Sequence, residues 1–170
     1  SIVSRRVKAL EPAFVSVTIF ESGSAFNVIP GSARLGGTAR SFSPDVRKLL
    51  EDSIHEIAIA TAKAYDCEIE IDWQPGYPPT VNNAEESARA VAVAANILGA
   101  DNIITDLQPS MGAEDFSYML AEKPGSYIWL GAGPAKDGAM LHNDRYDFND
   151  DVLATGASYW ARLAESELPK

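Results

Sequence analysis

Ala33-Arg34-Leu35-Gly36-Gly37-Thr38-Ala39-Arg40-Ser41-Phe42-Ser43-Pro44-Asp45-Val46 is where the chain changes period, and that change decides the fold. Residues 33–42 read as a strand, weakened by Gly36 and Gly37, which have no side chain to pack. Ser43-Pro44-Asp45 then starts a helix with a capping hydroxyl, a proline at the first helical position and an acid facing the positive end of the dipole. Past that point Val46, Leu49, Leu50, Ile54, Ile57, Ala58 and Ala62 recur at helical spacing, which predicts one buried face. Toward the N-terminus, Ala13 to Phe20 alternates and is rich in β-branched residues, the pattern of a strand. Ser22-Gly23-Ser24 breaks it, and Asn27-Val28-Ile29-Pro30-Gly31 is a short extended piece closing on a turn. Ser1 to Leu10 reads as the tail of a helix, with Arg5, Arg6 and Lys8 suited to a C-terminal dipole. Toward the C-terminus, Cys67, Ile69, Ile71 and Trp73 alternate with Glu68, Glu70 and Asp72, which predicts a strand with one wet face.

Helix end, strand, strand, helix and strand, in that order, are the later elements of a β-α-β-β-α-β unit whose first strand is missing. An antiparallel sheet with helices on one side is the expected architecture. Gly76-Tyr77-Pro78-Pro79 marks a boundary, because consecutive prolines stop both helix and ladder. The pattern then changes to helix alternating with strand: an alanine-rich helix over 84–98, a strand over 102–105, a helix over 113–121, a strand over 127–130, a polar loop over 139–151 and a closing helix over 152–167. That succession is the mark of an α/β layer domain.

The composition of the 170 residues excludes several classes. A formal charge of -10 lacks the basic face that nucleic acid requires, and the longest apolar stretches are far too short to span a bilayer. No glycine-rich phosphate loop and no Gly-x-Ser-x-Gly nucleophile turn is present. The one cysteine, Cys67, can form no internal disulfide and fits a reducing compartment, so a cytoplasmic location is expected. The start, Ser1-Ile2-Val3 without an initiating methionine, reads as cut.

Histidine is scarce, so each is informative. His55 lies off the apolar stripe of its helix, where a surface histidine is the better reading. His142 sits in a loop crowded with carboxylates, Leu141-His142-Asn143-Asp144-Arg145-Tyr146-Asp147, and neutral imidazole is the commonest metal ligand. A single imidazole is nevertheless not a hydrolytic zinc site, which takes three or more protein ligands and an open position. Met111-Gly112-Ala113-Glu114-Asp115-Phe116 pairs two acids with a glycine that lets a ligand approach the backbone, though a plain helix start explains the acids as well. Asn27 and Arg40, on neighbouring segments, could grip a carboxylate through a guanidinium fork and an amide, against the simpler reading of a surface ion pair and a turn asparagine.

Taken in order, these stretches resemble the metal-dependent amidohydrolase and carboxypeptidase family of hippurate hydrolases, aminoacylases and auxin-conjugate hydrolases. The matching residues are Phe26 to Pro30, Gly37 to Phe42, Gly76 to Asn82, Met111 to Phe116, Pro124 to Tyr127, and Leu141 to Asn143 with Tyr146 to Asp151. The resemblance implies residues 1–79 as an incomplete ferredoxin-like α+β lid, which also makes a homodimer, and residues 80–170 as the C-terminal segment of a zinc-peptidase-like α/β catalytic domain. It further implies His142 as the last ligand of a centre of two divalent metal ions, zinc or manganese. Asn27 and Arg40 would hold the carboxylate of an N-acyl amino acid, Gly112 would let substrate lie against the backbone, and Glu114 would face substrate or a ligand. The family's His-x-Cys-Gly-His-Asp stretch, paired glutamates and middle ligand histidine have no counterpart here; in the family they precede the point matching Ser1. The metals are therefore not expected to bind tightly to this chain alone, nor is the chain expected to be active by itself. A non-catalytic dimerisation or substrate-gating module is the alternative.

Overall fold

The computed structural model describes residues 1–134 and 138–168. Residues 135–137 and 169–170, which the second domain expectation includes, lie outside the described residues. The chain is a mixed α/β structure dividing into two units: residues 1–79 with 110–117, and residues 80–109 with the chain from Tyr118 onward. The segment 110–117 is the point at which contacts and sequence order part company, since it lies in the second half of the chain but belongs to the first unit.

In the first unit, helix α1 (Ile2–Arg6) leads into strands β1 (Ala13–Ser22) and β2 (Ala33–Ser41) and then into the long helix α2 (Pro44–Ala64). The strands pair antiparallel, with Phe14 opposite Arg40, Val15 opposite Ala39 and Ser22 opposite Ala33. The register slips between Val17 and Ile19, so Thr18 is an extra residue on β1. The two weak strand residues have a purpose at this slip. A Cβ on Gly37 would stand 2.0 Å from the carbonyl oxygen of Ser16, closer than any side chain can come, and one on Gly36 would press on Ile19 at 3.1 Å. Near the start of β1 the facing pair Val15 and Ala39 is half-buried while the facing pair Phe14 and Arg40 is exposed, and the slip exchanges the faces beyond it, putting half-buried Ile19 on the Arg40 side and exposed Leu35 on the Ala39 side.

Helix α2 packs against β2. Its start is built as its sequence requires: the Ser43 side chain accepts from the Val46 amide and Pro44 takes the first turn. Val46, Leu50 and Ser53 are buried on its inner face, Leu50 to 1 % exposure. Helix α1 is tethered to α2 through Arg6, which donates to Ser53 Oγ at 3.3 Å and pairs with Glu56. The guanidinium of Arg47, near the start of α2, donates to the carbonyls of Gly76 (2.5 Å) and Tyr77 (3.4 Å), fixing the chain just before Pro78.

The second unit is held by helices α3 (Ala84–Leu98) and α5 (Leu153–Glu167), which bury Ala90, Val93 and Tyr159 between them with Ala94, Ile97 and Leu163 around the rim. Burial raises the Tyr159 phenol above its ordinary pKa. Asn83 caps α3 by accepting from the amides of Glu85 and Glu86. One residue earlier, Asn82 exchanges two hydrogen bonds of 2.8 Å with the backbone N–H and carbonyl of Tyr127. A side-chain amide thus pairs with an extended segment as a neighbouring strand would. A short helix α4 (Phe116–Glu122) joins the two units in sequence.

Three expected strands are not in a ladder. Residues 67–73, 102–105 and 127–130 have strand-like sequences, but the sheet of β1 and β2 is the only ladder among the described residues. A strand exists only where a neighbour accepts its N–H and C=O groups, and the alternation of Cys67 to Trp73 carries no such neighbour with it. Ile71 and Trp73 still keep their half-buried side, Trp73 with its ring 5.9 Å from that of His55. The expected helix 113–121 begins later, at Phe116, after the turn that Ser110 closes on the Gly112 amide and the contact of Arg40 with the Met111 carbonyl. Among the described residues no helix is long and apolar enough to cross a membrane.

These packing details are testable in the protein by chemical denaturation. Gly37→Ala should cost about 2–3 kcal/mol or more from overpacking, and Leu50→Ala about 2–5 kcal/mol from the cavity it leaves. Gly31→Ala, where a Cβ would meet nothing within 4 Å, should change stability by less than about 0.5 kcal/mol. A Gly37→Ala protein as stable as wild type would contradict the close approach of the strands.

Candidate functional site

Arg40 lies on β2, opposite Phe14, and its side chain is exposed. Its Nη1 donates to the carbonyl oxygen of Met111 at 2.5 Å, a bond between residues 71 positions apart in sequence. This contact ties the segment 110–117 to the sheet of the first unit. A guanidinium has five N–H donors, so one bond to a carbonyl leaves the fork formed by Nε and Nη2 uncommitted among the described residues.

The segment that receives Arg40 is itself braced. The Ser110 hydroxyl accepts from the Gly112 amide at 3.1 Å, a side-chain-closed turn with Met111 at its apex. A Cβ at Gly112 would approach Ser110 Oγ to 3.3 Å, so glycine fits this turn best. Downstream, Glu114 is half-buried, and its carbonyl accepts from both the amide (3.2 Å) and the hydroxyl (2.6 Å) of Ser117. Ser117 is buried to 2 % exposure. Gly112 and Glu114 therefore share one short segment with the Met111 carbonyl, and Arg40 is attached to that segment.

Asn27 is placed differently. It is exposed in the loop joining Ser22 to Ala33, at the end of the ladder remote from Arg40. Arg40 stands seven residues along β2 from Ala33, roughly 23 Å of strand at about 3.3 Å per residue. No hydrogen bond joins Asn27 to Arg40 among the described residues.

His142 belongs to the second unit. It is exposed, with a left-handed backbone (φ 66°), at the tip of a turn in which the Asn143 amide donates to the Met140 carbonyl. Asn143 shapes the next turn by accepting from the Arg145 amide, and Asn149 anchors the loop's end on the Ala132 carbonyl at 3.0 Å. The imidazole is accessible to a metal, but among the described residues no three His, Cys, Asp or Glu side chains are grouped so as to hold one. The residues present do not by themselves fit a two-metal centre. His55 is an intrahelical residue, its Nδ1 2.9 Å from the Glu51 carbonyl, and Cys67 is exposed and free.

Sequence reading missed Ser110 and the Met111 carbonyl. The Ser-x-Gly spacing is a usable signal for a hydroxyl-closed turn, but nothing local announces that Arg40 reaches it.

A profile of the peptidase family M20/M25/M40 matches residues 6–166. The chain belongs to this family. Among its M20 relatives, the hippurate hydrolase of Campylobacter jejuni is 38% identical over 164 residues, covering 96% of this chain and 42% of that protein. An IAA-amino acid hydrolase of Arabidopsis thaliana, ILR1-like 4, is 34% identical over 169 residues, covering 96% and 38%. The solved YXEP protein of Bacillus subtilis, described as a dinuclear metal binding peptidase from the M20 family, superposes with a TM-score of 0.72 at 27% identity, over 89% of this chain and 41% of that one. The chain thus spans about two fifths of the length of the M20 proteins it matches.

Metal binding gives a direct check. Calorimetric titration of zinc into the 170-residue chain should show only the weak binding of a lone imidazole, and His142→Ala should weaken it further. A stoichiometric, submicromolar site in the chain would contradict the ligand count.

Proposed function

We propose that this chain is part of a metal-dependent amidohydrolase that cleaves N-acyl amino acids to a carboxylate and a free amino acid. Family membership supports hydrolysis, and the names of the matched proteins, a hippurate hydrolase and an IAA-amino acid hydrolase, point to acyl groups joined to amino acids. The observation that carries the substrate reading is the fork of Arg40, exposed on β2 and steadied by the Met111 carbonyl. A planar, permanently charged fork suits a carboxylate, which it can hold by two parallel charge-assisted bonds.

In this reading the first unit is the lid and dimerisation domain, and the second is the C-terminal segment of the catalytic domain. Arg40 fixes the free carboxylate of the amino acid. Asn27, in the hairpin loop, is the further amide donor to the substrate in this reading. Gly112 lets substrate lie along the backbone of the same segment, with Glu114 beside it. His142 provides one ligand for a centre of two divalent ions, zinc or manganese, whose remaining ligands are other side chains of the working enzyme. The assembly is a cytoplasmic homodimer. Binding energy from the carboxylate, remote from the bond that breaks, orients the acyl group for attack.

Kinetics on paired substrates tests this. Arg40→Ala should raise KM about tenfold to a hundredfold for an N-acyl amino acid, the factor expected for losing a charge-assisted pair. The KM for the corresponding methyl ester should move little. Equal loss on acid and ester would remove Arg40 from the carboxylate site.

A further inference from the structure

We infer that Ser110 is a positioning residue for Arg40: its hydroxyl closes the turn that presents the Met111 carbonyl, and that carbonyl aims the guanidinium fork. The inference rests on the carboxylate-binding role of Arg40 proposed above.

Three observations make the chain of contacts. Arg40 Nη1 donates to the Met111 carbonyl at 2.5 Å. The Gly112 amide, the next backbone group after that carbonyl, donates to Ser110 Oγ at 3.1 Å. Residues 110–117 cluster with the sheet of the first unit, although the chain on both sides of them clusters with the second. Met111 has its backbone oxygen turned toward Arg40 because the peptide plane between Met111 and Gly112 is held at its N–H end by the serine. Rotation of that plane moves both its N–H and its C=O, since the peptide unit is rigid. Losing the hydroxyl therefore frees the carbonyl to swing away, and the guanidinium loses the acceptor that fixes its plane.

An exposed arginine has many rotamers, and each must be given up when a carboxylate binds. A fixed acceptor for Nη1 removes much of that freedom beforehand and leaves Nε and Nη2, the two donors of the side-on fork, pointing one way. Ser110 thus acts on substrate only through Arg40. Its effect belongs to carboxylate recognition and not to the bond-breaking step.

The test uses the metal-loaded enzyme that carries this chain, with an N-acyl amino acid and its methyl ester as paired substrates. Ser110→Ala should raise KM for the acid about fivefold, the factor matching one ordinary hydrogen bond, with kcat changed by less than about twofold and the ester unaffected. Ser110→Thr, which keeps a hydroxyl, should restore the acid KM. In an Arg40→Ala background, Ser110→Ala should add nothing, because residues acting in one chain of contacts are non-additive. Ser110 is exposed, so the alanine variant should fold, and an unchanged thermal midpoint checks that. Carboxylate-selective loss in Arg40→Ala with none in Ser110→Ala overturns this inference alone. So do equal losses on acid and ester in Ser110→Ala, failure of threonine to rescue, or additive losses in the double variant. If Arg40→Ala itself shows no preference between acid and ester, the carboxylate reading fails first and this inference falls with it.

Discussion

The close approach of two backbones at Gly37 governs much of the first unit. With the Ser16 carbonyl only 2.0 Å from where a Cβ would stand, any residue but glycine forces the ladder apart. The approach accompanies the register slip between Val17 and Ile19, and a slip of one residue is what decides which side chains lie on which face. From that register follow the half-buried pair of Val15 and Ala39, the exposed pair of Phe14 and Arg40 on the other side, and the transfer of Ile19 to the Arg40 side beyond the slip. The chemistry proposed for Arg40 therefore depends on two adjacent glycines that take no part in it.

Arg40 links this sheet to a distant piece of chain, and the link is made by backbone. The carbonyl of Met111 accepts the guanidinium, the Gly112 amide is tied to Ser110, and the Glu114 carbonyl is tied twice to Ser117. Such a segment is defined by its hydrogen bonds more than by its side chains. The second unit uses the same economy at Asn82, whose amide holds both backbone groups of Tyr127. In both places a polar side chain occupies the position that a ladder neighbour takes in a larger sheet.

Legibility varied with the range of the interaction. Helix α2 could be read because Ser43, Pro44 and the stripe from Val46 to Ala62 all lie within the helix or at its edge, and the Ala84–Leu98 helix could be read for the same reason. The alternation of residues 67–73 was equally plain, yet no ladder forms there, because alternation reports a half-buried extended segment and not its partner. At the candidate site, Arg40, Gly112 and Glu114 could be singled out by residue type. Their union through the Met111 carbonyl could not, since it spans 71 positions. Asn27 and Arg40 look adjacent in sequence terms, but the hairpin puts them toward opposite ends.

The sequence by itself determined the local events: caps, turns, helical faces, the scarcity of histidine and cysteine, and the motifs that mark membership of the M20/M25/M40 family. These depend on neighbours within a few residues, or on residue identity alone. Only the tertiary structure decided which extended segments found a partner, which face of β2 carries Arg40, and that residues 110–117 join the first unit. Those outcomes are pairings between groups remote along the chain. A backbone N–H or carbonyl has the same chemistry in every residue but proline, so the sequence gives no label saying which distant group it will meet.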